Sequence, residues 1–230
     1  MHVLGVMPIK HEIAESNDPA DRTPLRTTRL ITRMLTQAQA PLHIVVVADD
    51  DPLGVKAIEA QLKGWQGHVS LIESTERNGY WKSVSIGAKS KPDYTHILNL
   101  ANDLMAGREW LSRAIYAYQV TWGNEPAILG MYDAVHPGTH AGHFIADKRL
   151  LLEWYGEELY PFKYYKHLYA DNEIVERAHA LRRYGMAIFS CLFHDHPVSG
   201  GNSDAVYKLG HESIKQDSQT YEHRKQLWKR

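Results

Sequence analysis

The tightest constraint on this chain is a set of short runs with no polar face. From Ile44 to Ala48 within "HIVVVA" every residue is apolar, and "THILNLA" (Thr95–Ala101) is nearly as closed to water. A strand with one wet face alternates apolar and polar residues. A strand that is apolar at successive positions is buried on both sides, as when helices cover both faces of parallel strands. The intervening segments have helical periodicity. In order, His2–Met7 reads as a strand, Arg22–Ala40 as a helix, His43–Ala48 as a strand and Leu53–Lys63 as a helix. Val69–Ile72 is a short strand, Tyr80–Ala88 a helix, Tyr94–Leu100 a strand and Trp110–Val120 a helix. This alternation predicts a βαβ chain, an α/β fold with a mostly parallel central sheet flanked by helices.

The rhythm changes after about residue 125. Ala127–Met131 and Ala141–Ile145 read as strands around the loop His136–His140, Asn172–Tyr184 as a helix and Met186–Leu192 as a strand. Asp204–Trp228 is polar and reads as a helical tail. No repeat or linker divides the chain, so a single domain is expected: a first half at 1–125, a second part at 126–200 and a tail at 201–230. Its 230 residues suffice for one large core. A formal charge of −1 gives no global field toward nucleic acid or membrane. The lone cysteine, Cys191, excludes an internal disulfide and fits a reducing compartment. With no signal-like start and no long apolar run, a cytoplasmic location is expected.

In open α/β sheets ligands sit beyond the carboxyl ends of the parallel strands, and acids recur there. Asp49, Asp50 and Asp51 follow the second strand and precede Pro52. Helix capping accounts for Asp51. Asp49 and Asp50 repel each other and call for a donor or cation, which a nucleotide base or ribose would supply. Asn102-Asp103 follows another central strand: either a turn, or a ligand for Mg²⁺ or Mn²⁺ whose shell a diphosphate completes. "FHDHP" (Phe193–Pro197) places His194 and His196 on one face of an extended chain, where both can reach one metal. With the only cysteine inside the strand, zinc ranks below a harder ion. The 14 histidines also raise the prospect of a metal or proton-transfer site.

In "YADNEIVERAHALRRYG" (Tyr169–Gly185), Asp171 falls on the side of Ile174, Val175, Ala178 and Leu181, and Glu173 roughly opposite. Asp171 is therefore either a helix cap or a general base facing a cleft, with Glu173 the second acidic candidate. Arg22, Arg26, Arg29 and Arg33 fall within about 60° of one another on a helical wheel. Such a stripe is usually a solvated face; the alternative is an anionic partner such as a nucleic-acid backbone.

Taken in order, "VVVADDDP", "NLANDLM" before "GREWL", "YADNEIVERAHALRRYG" and "LFHDHPVSGG" resemble the nucleotide-sugar glycosyltransferases of the GT-A fold, family 2-like and of small bacterial or phage type. The resemblance implies a nucleotide-binding first half, an acceptor and catalytic second part, and a UDP- or GDP-sugar donor with Mn²⁺ or Mg²⁺. On it, Asp49, Asp50 and Asp51 contact base or ribose, and Asp103 matches the last acid of the DXD motif. The triplet here reads Ala101-Asn102-Asp103, so the first acid is missing and Asn102 offers an oxygen instead. Asp171 matches the acceptor base of inverting members, His194 or His196 completes the metal or diphosphate contacts, and Tyr221 and Arg224 fold over the donor. With the arginine stripe, the resemblance allows a modified base in phage DNA as acceptor. Two rivals are a sugar-nucleotide nucleotidyltransferase, disfavoured because "GVMPIKHEIAES" lacks a glycine-rich loop, and a non-catalytic nucleotide-sugar-binding module.

Overall fold

The computed structural model describes residues 1–11, 23–133, 140–195 and 213–228. Eight strands form one mixed sheet in the order β3-β2-β1-β4-β7-β6-β8-β5. They are β1 (Val3–Ile9), β2 (Leu42–Asp49), β3 (Val69–Ser74), β4 (His96–Asn99), β5 (Leu104–Ala106), β6 (Ile128–Tyr132), β7 (Phe144–Asp147) and β8 (Tyr184–His194). The helices among the described residues are α1 (Pro24–Gln37), α2 (Pro52–Gln61), α3 (Tyr80–Lys89), α4 (Trp110–Trp122), α5 (Lys148–Tyr155), α6 (Ala170–Ala180) and α7 (Ile214–Trp228). Strands β1 to β4 run parallel, β7 lies antiparallel to both β4 and β6, and β8 pairs parallel with β6 and antiparallel with β5. The α/β class and the helix-flanked sheet are as expected; the run of parallel strands β1 to β4 ends at Asn99, and β5 joins the opposite edge antiparallel to β8.

Every residue of β1 is buried, and the reason is visible in its side-chain alternation. Val3, Met7 and Ile9 join one core with Ile31 and Met34 of α1 and with Trp110 and Leu111 of α4. Leu4 and Val6 join the opposite core with Trp81 and Val84 of α3. Two cores, one per face, require strands without a polar side. Helix α3 sits very close to the sheet: a Cβ on Gly87 would collide with Val6 and press on Val47.

Three elements differ from expectation. Strand β5 is only three residues long and follows the Asn102-Asp103 turn directly, too short to show a period. The strand expected at Ala141–Ile145 is displaced to Phe144–Asp147 and runs into α5, which is capped by Asp147 accepting from the Arg149 amide at 2.8 Å. The helix expected to reach Tyr184 stops at Ala180, and Tyr184 instead begins β8, whose register against β6 shifts at Met131/Tyr132. Of the expected tail helix, the stretch before residue 213 lies outside the described residues.

Candidate active site

Asn99 at the end of β4 organises the carboxyl edge of the sheet. Its Nδ2 donates to the Tyr80 hydroxyl at 3.1 Å and to the Gly142 carbonyl at 2.8 Å, while its Oδ1 accepts from the Phe144 amide at 2.9 Å. Tyr80 in turn donates to the Leu100 carbonyl at 3.1 Å. One buried amide therefore joins β4, the start of α3 and the entrance to β7, and fixes where the Asn102-Asp103 turn emerges.

That turn meets the end of β8. Leu104 pairs with His194 across the two strands. The Asp195 amide donates to the Asp103 carbonyl at 3.1 Å, and the His194 amide to the Asp133 carbonyl at 3.2 Å. This backbone ladder brings Asp103 Oδ2 to 3.2 Å from His194 Nε2, with the carboxylate side chain 3% and the imidazole 15% exposed. His143 packs edge-on against His194, ring centroids 4.9 Å apart. Burial, reinforced by the neighbouring His194, pulls the His143 pKa down to about 4. As a neutral ring beside a carbonyl, His143 donates from Nδ1 to the Asn99 oxygen at 3.1 Å. Asn102 is also buried, and its Nδ2 has no hydrogen-bond partner among the described residues. His196 lies outside the described residues.

The general-base candidate stands at the first turn of α6. Asp171 Oδ2 lies 3.5 Å from His140 Nε2, with a quarter of its side chain exposed. Burial works against its ionisation, but His140 and the amides at the helix start more than offset that and hold the carboxyl below its ordinary range. The His140 pKa moves up: burial opposes the proton, and the hydrogen bond and charge of Asp171 outweigh it. The Tyr80 hydroxyl is buried beside Asn99 on this edge. Burial pushes the phenol pKa up against the hydrogen bond from Asn99, and the charges of Asp103 and Asp171 both add to the rise.

Several acids have internal tasks. Asp49 accepts from the Asn78 amide at 2.6 Å and the Gly79 amide at 2.9 Å, fixing the loop before α3, where Gly79 has φ +76°. Asp51 caps α2 through the Gly54 amide at 3.0 Å and pairs with buried His11 at 2.6 Å. Asp50 bonds Lys10 at 3.3 Å and stays 53% exposed. The donors that the three acids call for thus come from the chain itself, and Asp50 alone reaches solvent.

Glu173, the second acidic candidate, is engaged inside the protein. Glu173 is fully buried, receiving Arg224 Nε and Nη2 at 2.7 Å each and the Tyr165 hydroxyl at 2.7 Å. The wheel ranks α6 faces against the sheet only, whereas α7 covers the face opposite it and makes that face interior. Arg224 is correspondingly occupied, its guanidinium 3.5 Å above the Tyr164 ring, and Tyr221 is buried beside Tyr169. The arginine stripe is also broken: Arg26 pairs with Asp195 at 2.7 Å and Arg33 donates to the Ala106 carbonyl at 2.8 Å. Arg29 is exposed, and Arg22 lies outside the described residues. Among the described residues no helix is long and apolar enough to cross a membrane.

The sequence reading missed Asn99, His140, His143 and Asp217. Asn99 ends an apolar strand just before the Asn-Asp turn, which was a usable signal; the histidines matter through long-range contacts that no local pattern encodes.

No protein-family model and no curated protein matches the chain. Solved structures do. A mannosyltransferase, PcManGT from Pyrobaculum calidifontis in complex with GDP-Man and Mn²⁺, superposes with a TM-score of 0.56 at 16% identity, over 80% of this chain and 53% of its own. S. aureus TarS 1-349 gives 0.58 at 11%, over 96% and 69%. GalNAc-T7 with UDP, GalNAc and Mn²⁺ gives 0.65 at 13%, over 92% and 48%. The chain thus spans about half the length of the first and the last. On the sheet order, the acids at its carboxyl edge and these superpositions, the chain has the GT-A-type fold of nucleotide-sugar glycosyltransferases.

Proposed function

We propose that the chain is a glycosyltransferase that moves a sugar from a nucleoside-diphosphate donor to an acceptor hydroxyl. The observation that carries this reading is the convergence of Asp103 and His194 at 3.2 Å on the carboxyl edge of the sheet. The neighbours with GDP-Man and Mn²⁺ or UDP and Mn²⁺ support it. In this reading residues 1–125 carry the donor side and 126–200 the acceptor side, which the tail helix Ile214–Trp228 braces through Arg224 and Glu173.

The residues fit a divalent cation. One carboxylate and one imidazole are a donor set for Mn²⁺ or Mg²⁺ when phosphate oxygens complete the shell. Among the described residues no third His, Cys, Asp or Glu joins them, so such an ion depends on the donor's phosphates. Asp103 and His194 would hold it, with His196 a further candidate, and it would neutralise the charge that develops on the leaving diphosphate. The Asn102 amide, buried without a partner, would donate to a phosphate oxygen. Asp50 is the one acid of its triplet placed to meet the nucleotide.

Asp171 removes the acceptor's hydroxyl proton as the oxygen attacks the anomeric carbon. The bond from that carbon to the diphosphate oxygen breaks, and the leaving nucleoside diphosphate keeps the electron pair. One displacement inverts the anomeric centre and needs no enzyme nucleophile. His140 orients Asp171 and keeps it ionised. A hydroxylated base in DNA stays one possible acceptor class; with two stripe arginines engaged internally, it rests on Arg29 and Arg22.

Thermal unfolding in the presence of UDP or GDP, with and without Mn²⁺, tests the donor half. Cooperative stabilisation by one nucleotide plus Mn²⁺ is expected, since a ligand bound only by the native state stabilises by RT ln(1 + [L]/Kd). Stabilisation by nucleotide with no effect of Mn²⁺ would fit the binding-module rival.

A further inference from the structure

A pocket of about 340 Å³ opens between the start of α3 and the segment that leads into α6. Its lining includes neither the Asp103–His194 pair nor an acid of the Asp49–Asp51 triplet, although Asp49 holds two of its lining amides. Three cations line it, Arg77, Lys82 and Lys166, together with the rings of Trp81, Phe162 and Tyr165. No carboxylate lines it, although the whole chain is slightly acidic with a formal charge of −1. Nearby lysines behave differently: Lys89 and Lys163 both pair with Glu158, at 2.9 and 2.8 Å. Among the described residues Arg77, Lys82 and Lys166 have no acidic partner within ion-pair distance.

Both walls are held from behind by buried carboxylates. Asp49 grips the Asn78 and Gly79 amides on one side. On the other, Asp217 of α7 is fully buried and accepts from three consecutive amides, Lys166 at 3.0 Å and His167 and Leu168 at 2.9 Å each. The backbone carrying the cations is therefore fixed, which limits the entropy lost when a ligand binds. All three cations are exposed at the mouth of the pocket, where one anion can meet them together. A phosphate offers several acceptor oxygens to a guanidinium and two ammonium groups. The volume falls within the range of small-molecule sites, roughly 300–1,000 Å³.

We propose that this pocket binds a phosphate group on the acceptor, so that the acceptor is a phosphorylated molecule whose hydroxyl is presented to Asp171. The proposal rests on the glycosyl-transfer reading above. Two features separate the pocket from the donor cradle. It has no acid to hold a cation, so its own cations balance the anion. Its far wall, Phe162 to Lys166, precedes α6, whose first turn carries Asp171. The partly exposed ring of Phe162 would cover the carbon skeleton next to the phosphate, with buried Trp81 and Tyr165 backing the pocket.

The test is titration calorimetry on the full chain with glycerol 3-phosphate as the probe and glycerol as the control. UDP and GDP affinities are measured first with Mn²⁺, and the probe is then titrated with the better nucleotide at saturation. Glycerol 3-phosphate is expected to bind the nucleotide-loaded protein, and glycerol is not. The Lys82→Gln/Lys166→Gln variant should weaken the probe by about tenfold or more while leaving nucleotide affinity within about twofold. Competition between probe and nucleotide would overturn the proposal, as would an equal loss of both in the variant or no probe binding at millimolar concentration. Failure of the glycosyl-transfer reading shows in a separate arm. If neither nucleotide binds while the probe still binds through the lysines, the pocket remains a phosphate site and the donor assignment falls.

Discussion

Asp171 and Glu173 stand two residues apart on α6 and could hardly differ more in circumstance. Glu173 has no exposure and is saturated by Arg224 from two nitrogens and by Tyr165. Asp171 keeps a quarter of its side chain exposed, with one imidazole at 3.5 Å and the amides of the helix start as its partners. A carboxylate enclosed on every side by donors has no oxygen left for a substrate; its role is to tie α6 to α7. A carboxylate at a helix start, ionised and open on one side, can take a proton. The lesson is that chemistry is found where the donor shell is incomplete.

The comparison can be broken by exchanging the fates of the two acids. The largest effect is expected from Asp171→Asn: loss of a general base should lower kcat by roughly 10²–10⁴ with nucleotide affinity and melting temperature little changed. Next is Glu173→Ala, which leaves the Arg224 guanidinium buried without its partner. Removing one member of a buried pair costs about 3–5 kcal/mol, read as a large fall in unfolding temperature, while turnover per folded molecule should persist. A kcat loss in the second variant without loss of stability would reverse the assignment. A smaller cost, about 1–3 kcal/mol, is expected for Gly87→Ala, because neither Val6 nor the sheet can recede.

A subtler test sharpens the role of Asp171. His140 holds its pKa down, so in His140→Ala the carboxyl should titrate higher. Because the ionised form is the base, the acid-side fall of kcat/KM should begin at higher pH than in the parent protein. An unmoved acid limb would mean that another group governs it.

How far this could be read from the sequence follows from the range of the interactions. The paired cores were legible because β1 and β2 need apolar residues on both faces, a local pattern. Asp103 and His194 were legible as strand-end residues, though their meeting depends on the three-residue β5, which has no periodic signature. The burial of Glu173 was not legible because a helical wheel knows one neighbour, the sheet, and α7 arrives from some fifty positions away: its Arg224 is separated from Glu173 by 51 residues. Asp51 was legible as a helix cap and Asp49 as an acid in need of a donor, but the Asn78 and Gly79 amides that supply Asp49 and the His11 that pairs with Asp51 are brought in by the fold.

The most direct measurement is Mn²⁺-dependent turnover of UDP- and GDP-sugars by the parent chain and by Asp103→Ala, with folding of the variant checked by its unfolding temperature. The account expects turnover of one donor class that requires the metal and disappears in the folded variant. Undiminished turnover in Asp103→Ala, or turnover indifferent to Mn²⁺, would contradict it.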